Sequence, residues 1–101
     1  MIINFRTYNL AVLFYKECQK LSLPSALRNQ LDRASSSISL NLAEGRGRRT
    51  LADQKHFFQI AYGSAKECQA ILDLATSAPD ALIQQADMLG ASIYRLIKNA
   101  R

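Results

Sequence analysis

Residues 25–49 read SALRNQLDRASSSISLNLAEGRGRR. Leu27, Leu31, Ala34, Ile38, Asn41 and Gly45 recur in it at alternating steps of four and three, a heptad-like core stripe with one polar intruder, Asn41. The stretch opens behind Leu23-Pro24, where proline removes a backbone donor and pushes the residue before it out of helical geometry. It closes on Glu44-Gly45-Arg46-Gly47-Arg48-Arg49. Glycine tolerates left-handed capping geometry and arginine favours the negative end of a helix dipole, so a turn is expected at about Gly47 to Arg49.

The flanking segments repeat this logic. Before Pro24, Phe5, Tyr8, Val12 and Tyr15 follow one helical spacing while Leu10, Leu13, Phe14 and Leu21 follow a second beside it, which makes the first helix apolar on more than one side. After the turn, Thr50 can cap the next helix with Asp53 three residues on. The stripe that follows is Phe57, Phe58, Ala61, Ser64, Ala65, Cys68, Ile71, Leu72 and Ala75. Ser77 and Pro79 introduce a last helix carrying Leu82, Ala86, Leu89, Ile93, Leu96 and Ala100. No segment alternates with period two, which excludes a βαβ arrangement. Four helices of roughly 17 to 28 residues with short connections predict an all-α fold, an antiparallel up-down-up-down four-helix bundle forming one domain over residues 1–101.

Composition narrows the function. The chain has 49% hydrophobic and 21% charged residues, which suits a globular domain and not a disordered one. Cys18 and Cys68, with His56 as the sole histidine, cannot build a disulfide framework or a closed zinc site, so neither metal nor cofactor is expected and a reducing, cytoplasmic setting is the default. No stretch reaches the roughly 18 to 20 apolar residues of a membrane span, and the Ile2-Ile3 pair lacks the flanks of a signal segment.

The run from Arg33 to Arg48, with Asn41-Leu42-Ala43-Glu44-Gly45 inside it, is followed by Phe57 to Glu67, with Ile60-Ala61-Tyr62-Gly63-Ser64 inside that. Over essentially the whole chain these motifs resemble the small four-helix bundle proteins encoded in intervening sequences of bacterial 23S ribosomal RNA genes. Relatives of that family include the accessory variability determinant of diversity-generating retroelements. The resemblance implies a homo-oligomer, with a ring of about five subunits, and a nucleic-acid context, with a reverse transcriptase as a candidate partner.

The residues also have a reading of their own. If the second and third helices fold back on each other, positions whose numbers sum to about 98 face one another, and Ala34-Ser35-Ser36-Ser37 lies opposite Ala61-Tyr62-Gly63-Ser64. Small residues on both sides permit close approach, and serine hydroxyls can bond the i−4 carbonyl. The same scheme predicts a structural polar network: Asn41 buried on the core stripe, Glu44 one turn later near Asp53 and His56, Ser64 against the serine run, and Arg33 within reach of Glu67. Asp53, His56 and the serines lack the strained nucleophile turn and oxyanion hole of a hydrolase, so no catalytic residue is expected. Gly45-Arg46-Gly47 lacks the lysine-hydroxyl pair of a phosphate loop.

Net charge is +5, with +2 on residues 1–24, +3 on 25–49, −1 on 50–77 and +1 on 78–101. Only Arg46, Arg48 and Arg49 cluster, and they are the candidate nucleic-acid-binding residues. No aromatic-rich platform for single strands is visible, so contact with the phosphate backbone without base readout is expected. The leading expectation is a non-enzymatic, self-associating bundle that offers a basic surface to RNA or to a nucleic-acid-processing partner. The alternative is a structural protein-interaction module whose charge is incidental.

Overall fold

A computed structural model describes residues 5–100, which form four helices and no strand. Met1 to Asn4 and Arg101, which the single-domain reading takes in, lie outside the described residues. Helix α1 spans Arg6–Gln19, α2 Ser25–Arg46, α3 Leu51–Leu74 and α4 Asp80–Asn99. At 14 residues α1 is shorter than expected. Its last turn tightens into i→i+3 bonds, from Lys20 N–H to the Glu17 carbonyl (3.1 Å) and from Leu21 N–H to the Cys18 carbonyl (3.2 Å). Arg28 of α2 then donates to the Leu21 (2.7 Å) and Cys18 (3.0 Å) carbonyls and to Asp32 Oδ1 (2.7 Å). This guanidinium and the Gln19 amide hold the Asp32 carboxyl below the usual range.

Helix α1 packs on α2 and α4, and α3 packs on α2 and α4, while the diagonal pairs have no Cα atoms within 8 Å. The body measures 41 × 23 × 22 Å. Gly45 lies against Phe58, Ser37 bonds Ser64 and Arg33 pairs with Glu67, so numbering falls along α2 as it rises along α3. Tyr62 beside Tyr94 and Gln69 bonded to Asp87 relate α3 to α4 in the same sense. The facing numbers sum to between 100 and 103 in place of about 98. The offset of two to five residues still leaves the serine run of α2 against Ser64 of α3.

Two expected stripes are corrected. On α2 the buried line is Leu31, Ala34, Ser35, Ile38, Leu42 and Gly45, with Leu42 where the heptad count puts Asn41. A straight helix drifts about 20° per heptad from a strict seven-residue repeat, which carries position 42 inward and position 41 to the edge. On α1 the buried line is Thr7, Ala11, Phe14 and Cys18, running between the two stripes of larger residues. Thr7 is buried because its hydroxyl pairs with that of Ser92 on α4 at 2.6 Å. Of the small residues, Ser35 is fully buried and donates to the Leu31 carbonyl at 2.6 Å, so close packing and a satisfied hydroxyl coincide.

Cys18 and Cys68 are both buried, on the diagonal helices α1 and α3. A disulfide needs Cα atoms closer than about 7 Å, so these thiols cannot bridge. Burial pushes the Cys18 thiol up to about 12 and raises that of Cys68 as well. Groups raised above their ordinary value of 9.0 favour the folded chain below pH 9, and that contribution is lost as pH climbs toward 12. Ellman's reagent at pH 8 should therefore titrate neither thiol in the native protein and both in denaturant. A native thiol reacting at the rate of free cysteine would contradict this packing.

Candidate nucleic-acid interface

The turn between α2 and α3 is short and tightly bonded. Gly47 N–H donates to the Ala43 (3.3 Å) and Glu44 (3.2 Å) carbonyls, and Arg48 N–H donates to that of Gly45 (3.1 Å). Gly47 has φ −83°, and no glycine among the described residues has positive φ, so the helix ends without the left-handed cap expected from its glycines. Thr50 accepts from Asp53 N–H at 3.0 Å and starts α3 as an N-cap. Gln54 Nε2 donates to the Arg48 carbonyl at 2.9 Å, tying the turn to the first turn of α3.

This frame presents the three arginines differently. The Arg46 guanidinium lies 5.1 Å from the centre of the Phe5 ring. Arg48 stands 4.7 Å over Phe57 and forms an ion pair with Glu44 at 2.8 Å. Arg49 is exposed, and no carboxylate among the described residues lies within ion-pair reach of it. The tip thus holds two guanidinium groups steadied by aromatic rings and a third extended into solvent.

The expected polar network is not one network. Arg33 and Glu67 form an ion pair across α2 and α3 on the surface. Asn41 is half-buried and donates to the Ser37 carbonyl (2.9 Å) and to Ser37 Oγ (3.1 Å), while Ser64 donates to Ser37 Oγ at 2.9 Å. Asn41 therefore reaches α3 only through Ser37. Glu44 turns to Arg48 and joins the basic tip, away from the serines. The reason is reach: Glu44 and Arg48 stand one turn apart on the same side of the chain.

The fold adds basic residues that no local run reveals. Phe5 under Arg46 places the start of α1 at the same end as the α2–α3 turn, and a shallow groove of about 280 Å³ there is lined by Phe5, Arg46, Leu51, Phe58, Leu96 and Ala100, among others. That half of the bundle carries Arg6, Arg46, Arg48, Arg49, Lys55, Arg95 and Lys98 against only Glu44 and Asp53. The other half carries Lys16, Lys20, Arg28, Arg33 and Lys66 against Glu17, Asp32, Glu67, Asp73, Asp80 and Asp87, which nearly cancel. Lys20–Glu17, Arg28–Asp32 and Arg33–Glu67 pair within the balanced half, and Arg48 pairs with Glu44 in the basic half. Arg6 occupies the first turn of α1, where the helix dipole disfavours a cation, so helix stability does not account for its position.

The structure also brings Tyr62 and Tyr94 together, with ring centres 6.1 Å apart, although the sequence pattern shows no aromatic platform. They stand 32 positions apart in the sequence on neighbouring helices, so nothing local signals the pair.

No curated protein matches the chain. The family model described as 23S rRNA-intervening sequence protein matches residues 3–100, which takes in all four helices and every residue of the basic end named above, and the chain belongs to that family.

Proposed function

We propose that this chain is an antiparallel up-down-up-down bundle that associates with copies of itself and binds RNA through its basic end, as a cytoplasmic protein without catalytic activity or cofactor. The observation that carries this reading is the segregation of charge: the positive excess of the described residues gathers at one end of the bundle. Phosphate contacts add through released counterions, so several cations at one end outperform the same number scattered, and a ring of subunits would multiply them. The family's ribosomal RNA context supports RNA as the polyanion. A reverse transcriptase, implied by the retroelement relatives, is a candidate protein partner for the same surface.

A filter-binding titration of single-stranded RNA at two salt concentrations, with wild type and an Arg46→Gln, Arg48→Gln, Arg49→Gln triple variant, tests it. The variant should bind more weakly whatever the RNA sequence, and its logarithmic salt slope should flatten by roughly 0.7 for each phosphate that is no longer neutralised. Wild-type binding absent at low salt, or unchanged in the variant, would favour the structural-module reading. That second reading draws on the Arg46–Phe5 and Arg48–Phe57 contacts, which give two of the arginines an intramolecular task.

A further inference from the structure

We propose that the groove between α3 and α4 holds one unstacked nucleobase of a single-stranded nucleic acid against Tyr62 and Tyr94. The two rings are tilted by 48° with centres 6.1 Å apart, and they line an open groove of about 380 Å³. That size suits a small planar ligand. Tyr94 is 50% exposed, so its ring is available to solvent. Gly90 lines the same groove, and a Cβ there would come only into ordinary contact with Gln69 Nε2 at 3.5 Å. The close packing of α3 and α4 therefore does not require glycine at this position, while its absent side chain leaves the groove deeper.

Charge selects the class of occupant. Lys66 Nζ lies 5.5 Å from the Tyr62 ring centre and Lys98 Nζ 5.8 Å from that of Tyr94, and Arg95 lines the groove. The opposing carboxylate is Asp87, engaged by Gln69 Nε2 at 3.0 Å. Two aromatic faces among three cations match a base with its flanking phosphates, since every base offers a π-face and every linkage a negative charge. An exposed lysine-ring contact is worth only about a two- to fivefold preference, so an entering base can displace the Lys66 ammonium onto a phosphate oxygen. Duplex is disfavoured because its bases are already stacked and paired. Arg95 and Lys98 also belong to the basic end, so a strand held there by its phosphates continues into the groove.

This inference rests on the nucleic-acid reading, and one experiment separates the two. Fluorescence anisotropy compares a labelled oligouridylate with an abasic oligomer of equal length and charge, on wild type, Tyr94→Ala, Tyr94→Phe and the arginine triple variant. Wild type should favour the base-bearing strand by roughly 5- to 150-fold, the worth of one stacked base. Tyr94→Ala should erase that preference and Tyr94→Phe keep it, with the salt slope the same in both. Equal wild-type affinity for the two oligomers, or a preference that survives Tyr94→Ala, overturns the base site. If the arginine variant still binds more weakly in that case, the basic-end reading stands alone. Binding of neither oligomer by wild type overturns both.

Discussion

Replacing Gly45 with valine should lower the melting temperature by about 10 to 25 °C, corresponding to roughly 3 kcal/mol in a domain of this size. A Cβ at this position would sit 2.8 Å from Phe58 Cε1, closer than real Cβ atoms pack, and 3.0 Å from Phe58 Cδ1 and 3.1 Å from Phe57 Cβ, tighter than most. Phe58 is buried and Phe57 presents its Cβ, which is fixed to the backbone, so the branched side chain must push α2 and α3 apart. The helix-forming gain on replacing glycine, at most about 1 kcal/mol, is too small to offset that separation. Gly47→Ala provides the control. Its Cβ would meet nothing nearer than the Glu44 carbonyl at 3.6 Å, and its φ of −83° suits any residue, so stability should change by less than about 1 kcal/mol. Thermal unfolding followed by circular dichroism reads both variants. Equal melting temperatures for Gly45→Val and wild type would mean that the α2–α3 contact is looser than described. The consequence reaches the proposed interface, because Gly45 and Phe58 lie directly beneath the arginine turn.

What the sequence discloses depends on how local the controlling interaction is. The α2–α3 hairpin is legible because Pro24, the Gly47 turn and the Thr50 cap act within a few residues of themselves. The buried line of α1 is not, because Thr7 is drawn inward by Ser92, 85 positions away, and no apolar pattern marks it. Asn41 and Leu42 are adjacent, and a heptad count cannot distinguish them where the true period is 3.6. Arg28 looks like an ordinary surface cation until the end of α1 places two carbonyls before it.

The candidate site divides in the same way. The arginine triplet is contiguous and visible, whereas Arg6, Lys55, Arg95 and Lys98 join it only because the chain returns to the same end. Charge summed by segment spreads the excess over the first half of the sequence, while the fold gathers it at one end of the body. The sequence pattern groups Glu44 with the serines, but in the folded chain it is the counterion of Arg48. One arginine at the tip is therefore partly neutralised, and Arg46→Gln with Arg49→Gln should account for most of the weakening seen in the triple variant.

If the chain self-associates as proposed, substituting aspartate at Leu13 or at Leu40 should each leave it monomeric with little loss of folding stability. Leu13 on α1 is 56% exposed and Leu40 on α2 is 68% exposed, so neither supports the monomer core. The register that bonds Ser37 to Ser64 sets Leu40 opposite Ile60, itself 40% exposed, and makes one apolar patch on the outer α2–α3 seam. Leu13 provides another on α1, away from its buried line. A closed ring needs two different, mutually complementary patches on each subunit, whereas a two-fold dimer needs one patch that meets itself. Burying a leucine contributes about 1.5 to 3 kcal/mol, and forcing a carboxylate into its place adds a desolvation cost of similar size or larger, so association should weaken by more than about 100-fold. The decisive sample is the mixture. A Leu13→Asp subunit keeps its seam patch and a Leu40→Asp subunit keeps its α1 patch, so in a ring-forming protein the two monomeric variants should combine one to one and stop there. Sedimentation velocity reads this directly: a monomeric wild type at tens of micromolar removes self-association, and variants that stay monomeric when mixed replace the ring with a self-matching contact.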